Sequence, residues 1–376
     1  MAFGKDPRVL DTVQSFRAEA RNFEKERAKN SGSSGGGTRP TWIDQFKPSI
    51  DGTDKVRLLR GQYEVEYGDS NGQVLKRVQS FYPFIQHYHA TREKYSICSA
   101  GPLANFKGKA DPCRGCAQFW DEKMANKGTK KFGAMSRRDM YSFSILHYAP
   151  YAYVEQVDRD GKVRTNENGE PYMSWVRVFP HEMSKFAGRQ MREAHLLHWD
   201  MGYAHYSTLL EYDEEIGRSC RSCGGRNSIQ LEAWTCTACG EAIIERNSPH
   251  SPRDIKDLTS GEVKCSHCEH IGMLQEYVSC TQCSNGLRAD IFDVDIEIKR
   301  KSDAQRGGNA TQLIITSWSD PHSIDQRFAE IAKPMDLPKI FRPTPMEKQE
   351  DLFGPWAGQT ARQPVTPGSM SRPYNK

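Results

Sequence analysis

Cysteine is the residue type best equipped for chemistry in this chain. It carries 11 cysteines, and ten of them fall in five C-x2-C pairs. Two sulfurs two residues apart turn naturally onto one ion, and such pairs in a reducing compartment read as metal sites before they read as disulfides. Cys220, Cys223, Cys236 and Cys239 form C-x2-C-x12-C-x2-C, and Cys265, Cys268, Cys280 and Cys283 form C-x2-C-x11-C-x2-C. Each cassette offers four thiolates, so the spacing predicts two self-contained tetrahedral sites with no open position for water or substrate. A cross-braced pairing of the four C-x2-C units is the alternative; the completeness of each cassette argues against it. Zinc, which needs no redox role, is the default occupant.

Cys98 and the pair Cys113–Cys116 supply three further sulfurs. A fourth ligand is offered by the segment FIQHYH, as His87 or His89, which point the same way off a strand. With either histidine the chain would hold three structural Zn2+ ions. The one tight acidic set, Asp290, Asp293 and Asp295, alternates with apolar residues. It reads as the solvated face of an amphipathic strand rather than as a Mg2+ site, so no catalytic residue is expected.

A different chemistry is written into KGTKKFGAMSRRDMYSFSILHYAPYAYV (127–154). Lys130, Lys131, Arg137 and Arg138 are followed by Tyr141, Phe143 and Tyr148. Positive charge tracks a phosphate backbone and aromatic faces accept unpaired bases. Alternation puts Tyr141, Phe143 and Ile145 on one strand face, which serves either as a stacking platform or as core. Lys299 and Arg300 form a second basic group, and Lys55, Arg57 and Arg60 a third.

The elements that must position these residues are mostly strands. At 376 residues the chain has room for two or three domains, and its net charge of +4 is only mildly basic. No stretch approaches the roughly 20 apolar residues of a membrane span, and the mixed charges of the first 30 residues do not form a signal peptide; a soluble intracellular protein is expected. Residues 1–40 read as an amphipathic helix (7–29) and a Gly/Ser tether. Short β-like runs then follow, among them KVRLLRGQYEVEY, FYPFIQHYH and SWVRVF, with a turn at 158–161 and a helix over 180–195. The cassettes occupy 218–287. DIFDVDIEIKRK (290–301) and TQLIITSW (311–318) predict a closing hairpin, with a C-terminal helix before 342. Residues 343–376, rich in Pro, Gly, Gln and Ser, predict a disordered tail. The class is mainly β: a small barrel over 41–217, with a metal subdomain at about 84–120, completed by 288–342.

The order His…Cys98…Cys113-x2-Cys116, then Arg137-Arg138-x2-Tyr141, then Ser-Ile-Leu-His-Tyr-Ala-Pro, resembles the single-stranded DNA-binding (helix-destabilising) proteins of T-even-type bacteriophages. The resemblance covers about 41–190 and resumes at 288–318. It implies an OB-fold with a one-histidine, three-cysteine zinc subdomain, into which the two four-cysteine ribbons are inserted. It also implies coating of single strands in phage DNA replication, recombination and repair, in the cytoplasm of the infected bacterial host. Arg57, Arg137 and Tyr141 would then touch the strand, and the N-terminal arm would support cooperative self-association. Phage replication or recombination proteins would be further partners. The competing reading is a zinc-ribbon accessory protein that docks on a replication or transcription polymerase.

Overall fold

The computed structural model describes residues 44–49, 52–68, 74–99, 113–127, 133–157, 161–245, 263–272, 274–302 and 311–354. The expected N-terminal helix and tether, Lys130, Lys131 and the tail beyond 354 lie outside them. Among the described residues no helix is long and apolar enough to cross a membrane.

The fold is mainly β. Its centre is one long strand, β6 (Met135–Glu155), which carries the RRDMYSFSILHY segment. Along one edge β6 pairs with β4 (Tyr82–His89) and then with β1 (Asp54–Leu59); along the other it pairs with β8 (Met191–Gly202). Beyond a register shift between Tyr148 and Tyr151 it also receives β7 (Met173–Arg177). The remaining strands of this eight-stranded sheet are β5 (Lys94–Ile97), β14 (Asp295–Ser302) and β15 (Thr311–Trp318). β14 and β15 form the antiparallel hairpin expected from their alternation, and β14 closes onto β1. A separate hairpin joins β2 (Tyr63–Gly68) to β3 (Val74–Gln79).

Both faces of β6 are covered, which decides the fate of several residues. One face carries Tyr141, Phe143 and Ile145 into the main core, with Val56, Leu58, Trp199, Ile296 and Ile298. Helix α2 (Tyr203–Ile216), unanticipated in the sequence, closes this core with Tyr206 and Leu209. Tyr141 is fully buried and stacks on Tyr206 with centroids 3.9 Å apart and planes 6° off parallel. Tyr141 and Phe143 are therefore core residues and present no face to a base; this corrects their reading as stacking residues. The opposite face presents Met140 and Leu146. There the segment after β15, punctuated by Pro321, Pro334, Pro338, Pro343 and Pro345 and so unable to join a ladder, runs across the sheet. It lays Phe328 and Ile331 on Leu59 and Leu146, and Phe341 on Phe84 with rings 4.2 Å apart.

Two other expectations fail. Residues 180–195 form a short 3-10 turn (Pro180–Phe186) followed by β8, not one helix: beyond the turn Leu197, Trp199 and Met201, two residues apart, enter the main core from one strand face. The tail is ordered as far as 354, because the segment Met346–Phe353 is helical and Phe353 is buried against Phe119 and Met135. The helix foreseen before 342 is a single turn, Leu337–Ile340, named α3 below in chain order.

Replacement of Tyr141 by alanine should lower the unfolding free energy by about 3–5 kcal/mol, the usual cost of truncating a large buried ring. Urea titration followed by tryptophan fluorescence measures it. An unchanged midpoint would return Tyr141 to the surface.

Candidate metal centres and nucleic-acid interface

Three groups of ligand atoms converge: His87, Cys98, Cys113 and Cys116; Cys220, Cys223, Cys280 and Cys283; and Cys236, Cys239, Cys265 and Cys268. In the first, Cys98 and Cys116 sulfurs are 3.6 Å apart, and His87 Nε2 lies 3.3 Å from Cys113 Sγ and 3.4 Å from Cys116 Sγ. In the other two, the sulfurs of Cys220 and Cys283, Cys223 and Cys280, Cys236 and Cys268, and Cys239 and Cys265 are 3.6–3.7 Å apart. A disulfide would place them at about 2.05 Å. A tetrahedron with metal–sulfur bonds of about 2.3 Å has edges of about 3.8 Å, which the observed separations match. All three donor sets thus fit a divalent ion with four protein ligands.

The first centre is built by β4, the residue after β5, and helix α1 (Arg114–Ala125). Cys113 is the N-cap of α1, and its sulfur accepts from the Cys116 N–H. The ligand is His87, fully buried; His89, two residues on, stacks on Phe353 at 6.0 Å and belongs to no group. Gly115 is obligatory here, since a Cβ would sit 2.5 Å from the His87 ring. Burial opposes a charged His87, yet its bonds to Cys113 and Cys116 outweigh it and raise the pKa to about 9. Hydrogen bonds from Cys116 and Cys98 hold the Cys113 thiol low, while Cys98 is pushed well up. The cluster holds protons that an incoming cation would displace.

The other two centres correct the expected pairing. Neither cassette closes on itself: the first C-x2-C unit joins the fourth, and the second joins the third. The cause is the ladder between β9 (Ile229–Cys236) and β13 (Leu274–Cys280), which sets Cys236 opposite Leu274 and Ile229 opposite Cys280. Units flanking the same end of an antiparallel pair share an ion, so the two sites nest within one module, whose third strand is β10 (Ala242–Glu245). After each unit the chain turns through positive φ, at Gly224, Gly240, Glu269 and Ser284. The signal that would have revealed this lay between the pairs, where LEAWTC and LQEYVSC alternate as strands.

Arg221 anchors the module to Asp293, just before β14, at 3.0 Å, and Arg226 to Asp320 at 2.6 Å. The acidic set is consequently neither solvated nor poised for Mg2+. Asp293 and Asp295 are buried; Arg60 pairs with Asp290, while Lys55 reaches Asp295 at 3.1 Å. Burial and the neighbouring Asp290 push Asp293 up to about 6.

The basic residues separate into anchors and surface. Arg57 is buried, donates to the His322 carbonyl at 2.7 Å and lies 3.6 Å from Asp295, so it braces the sheet instead of facing solvent. Arg137 is buried beside Trp120 and Asp139. Arg138 and Arg300 are half-buried and Lys299 is exposed. Half-buried Tyr148 donates to Asp295 at 3.1 Å, lies under Lys55 and borders an 890 Å³ groove with Arg192 and Phe328.

The sequence reading missed a richer surface on and around β7. Register places Tyr153 opposite Trp175, and Tyr151 opposite both Arg177 and Arg192, so these side chains share a face. Arg192 lies 3.9 Å above the Trp175 ring, Arg177 is 4.9 Å from Phe179, and Arg164 is 5.9 Å from Tyr172. Tyr172 is 47% and Phe179 41% exposed. Arg192 Nε and Nη2 are buried and make no hydrogen bond among the described residues. Burial lowers its pKa to about 10, leaving it charged at neutral pH. The basic-plus-aromatic signal was present in SWVRVF, but the charged and aromatic run RRDMYSFSILHY upstream outweighed it. No protein-family model matches the chain, and comparison with curated proteins finds no match.

Nested pairing makes a stoichiometric prediction. The double variant Cys223→Ser/Cys283→Ser damages one site, so native mass spectrometry should count two metal ions. Cys223→Ser/Cys239→Ser damages two and should leave one. Self-contained cassettes would give the reverse order.

Proposed function

We propose that the chain is a non-catalytic, sequence-independent single-stranded DNA-binding protein built on an OB-fold-like barrel, with three structural zinc ions. The observation that carries this reading is two guanidinium–aromatic pairs, Arg164/Tyr172 and Arg192/Trp175, on and beside β7, near the partly exposed Phe179 ring. Such a surface offers cations to phosphates and ring faces to unpaired bases, each stacked base contributing about 1–3 kcal/mol whatever its identity. Arg300 extends the positive charge: its backbone N–H bonds the Ser49 carbonyl, and Arg177 bonds the Ser49 hydroxyl. The resemblance in metal spacing and in the RRDMYSFSILHY segment supports the same reading, including a role in phage replication, recombination and repair inside the bacterial host.

Zinc suits the centres because every ligand position is taken by the protein, which fits a staple and leaves no site for metal-bound water. The Ser142–His198–Asp200 group supports a non-catalytic role: it is buried, and the serine donates to the carboxylate at 2.7 Å instead of being activated by the imidazole. A second reading, docking of the cysteine module on a replication or transcription polymerase, is favoured by a depression of about 430 Å³ lined by Ile229, Leu231, Trp234 and Ile244.

Titration into a fluorescent single-stranded oligonucleotide and into its duplex, at two salt concentrations, tests the proposal. The single strand should bind tighter, irrespective of sequence, with log K falling by roughly 0.7 per phosphate contact for each tenfold rise in salt. The variant Trp175→Ala/Arg192→Ala should lose at least about tenfold in affinity, equal to one stacked base. Preference for duplex, or an unaffected variant, would contradict the reading.

A further inference from the structure

Helix α4 (Met346–Phe353) reaches back from the end of the described chain and sets Gln349, wholly buried, beside the His87 centre. Gln349 Oε1 accepts from the Gly115 N–H at 3.2 Å and lies 3.4 Å from Cys113 Sγ. Its Nε2 donates to Ser99 Oγ at 3.1 Å and to the Thr344 carbonyl at 2.9 Å. One side chain thereby ties the helix that carries Cys113 and Cys116 to the turn just after Cys98. Backbone bonds seal the junction: Thr344 N–H donates to the Ile97 carbonyl at 3.1 Å, and Ile97 N–H to the Thr344 hydroxyl at 3.0 Å. Arg114, next to Cys113, donates to the Gly354 carbonyl at 2.5 Å and lies 5.7 Å from the Phe353 ring.

We propose that Gln349 is a positioning residue of this metal centre, and that metal binding and docking of the C-terminal helix stabilise one another. The physical reason is shared partners. A metal ion fixes Cys98 relative to Cys113 and Cys116, and this spacing is what lets Gln349 reach Ser99 and Gly115 together. In return, the amide orients the backbone around Cys113, as groups that bond the surroundings of metal ligands generally do. Coupling of this kind is reciprocal by thermodynamic necessity. The same segment carries Phe341, Leu337 and Met335 over β4 and β6, so the centre controls whether that apolar face stays covered. This inference is independent of what the β7 surface binds.

The test uses the full chain loaded with zinc and a chelating dye that reports metal release. Gln349→Ala should speed release of one of the three equivalents by about tenfold, the lower end for loss of a partner around a metal site, and leave the other two unchanged. Phe353→Ala, which undocks the helix without altering a metal ligand or Gln349, should do the same. In the other direction, Cys98→Ser should raise amide exchange across 346–353 at least tenfold while β14 and β15 stay protected. A purely structural role for the helix would leave metal release untouched or speed all three equivalents together. Three equivalents leaving both helix variants at the wild-type rate would overturn the inference, even if Cys98→Ser proved unable to fold.

Discussion

The four-ligand tetrahedron is the constraint on which the rest of this structure depends. Three times it takes short segments that cannot build a sizeable apolar core and fixes them at sulfur–sulfur edges of about 3.6–3.7 Å. Among the described residues of the cysteine module the buried apolar side chains are few, Ala233, Ile244, Leu274 and Val278 among them. Metal ligation therefore replaces the hydrophobic burial that a domain of this size lacks. In the eight-stranded sheet the balance is reversed. Its core is continuous, and the His87 cluster gathers periphery: the end of β5, helix α1 and the returning C-terminal helix.

Charge follows the same division. Buried carboxylates are used as fasteners, Asp295 by Lys55 and Arg57, Asp293 by Arg221, and Asp54 by Arg177 at 2.6 Å and His147 at 3.3 Å. For Asp54, burial raises the pKa, but the bonds from His147, the Ser49 N–H and Arg177 outweigh it and hold it below the ordinary value. Many of the arginines that a charge count would assign to a polyanion are thus committed to the fold. Arg164 and Arg192 lie over aromatic rings, where a cation is attracted by the ring.

Much of this was legible in the residues. Alternation in DIFDVDIEIKRK, followed across a loop by TQLIITSW, marked the β14–β15 hairpin, and C-x2-C spacing marked every cysteine of the three clusters except Cys98. What spacing did not encode was partnership. Four equivalent C-x2-C units can be paired in more than one way, and the antiparallel ladder between β9 and β13, a long-range feature, selects the nested one. Tyr141 and Phe143 were ambiguous for a related reason. An aromatic strand face looks the same in sequence whether a base or Tyr206 lies against it, and only helix α2 decides. Gln349 carried no signal at all, because a glutamine in a Pro-rich, polar segment resembles any residue of a tail.

The central claim is that a single strand is held on the β7 region while the louder RRDMYSF stretch supplies the core beneath it. Ultraviolet cross-linking of the full-length protein to an unpaired oligothymidine, mapped by peptide mass spectrometry, tests it directly. Adducts on Tyr172, Trp175 and Phe179 are the expected result. Adducts confined to the cysteine module, or none on these three rings under conditions where the strand is bound, would contradict it.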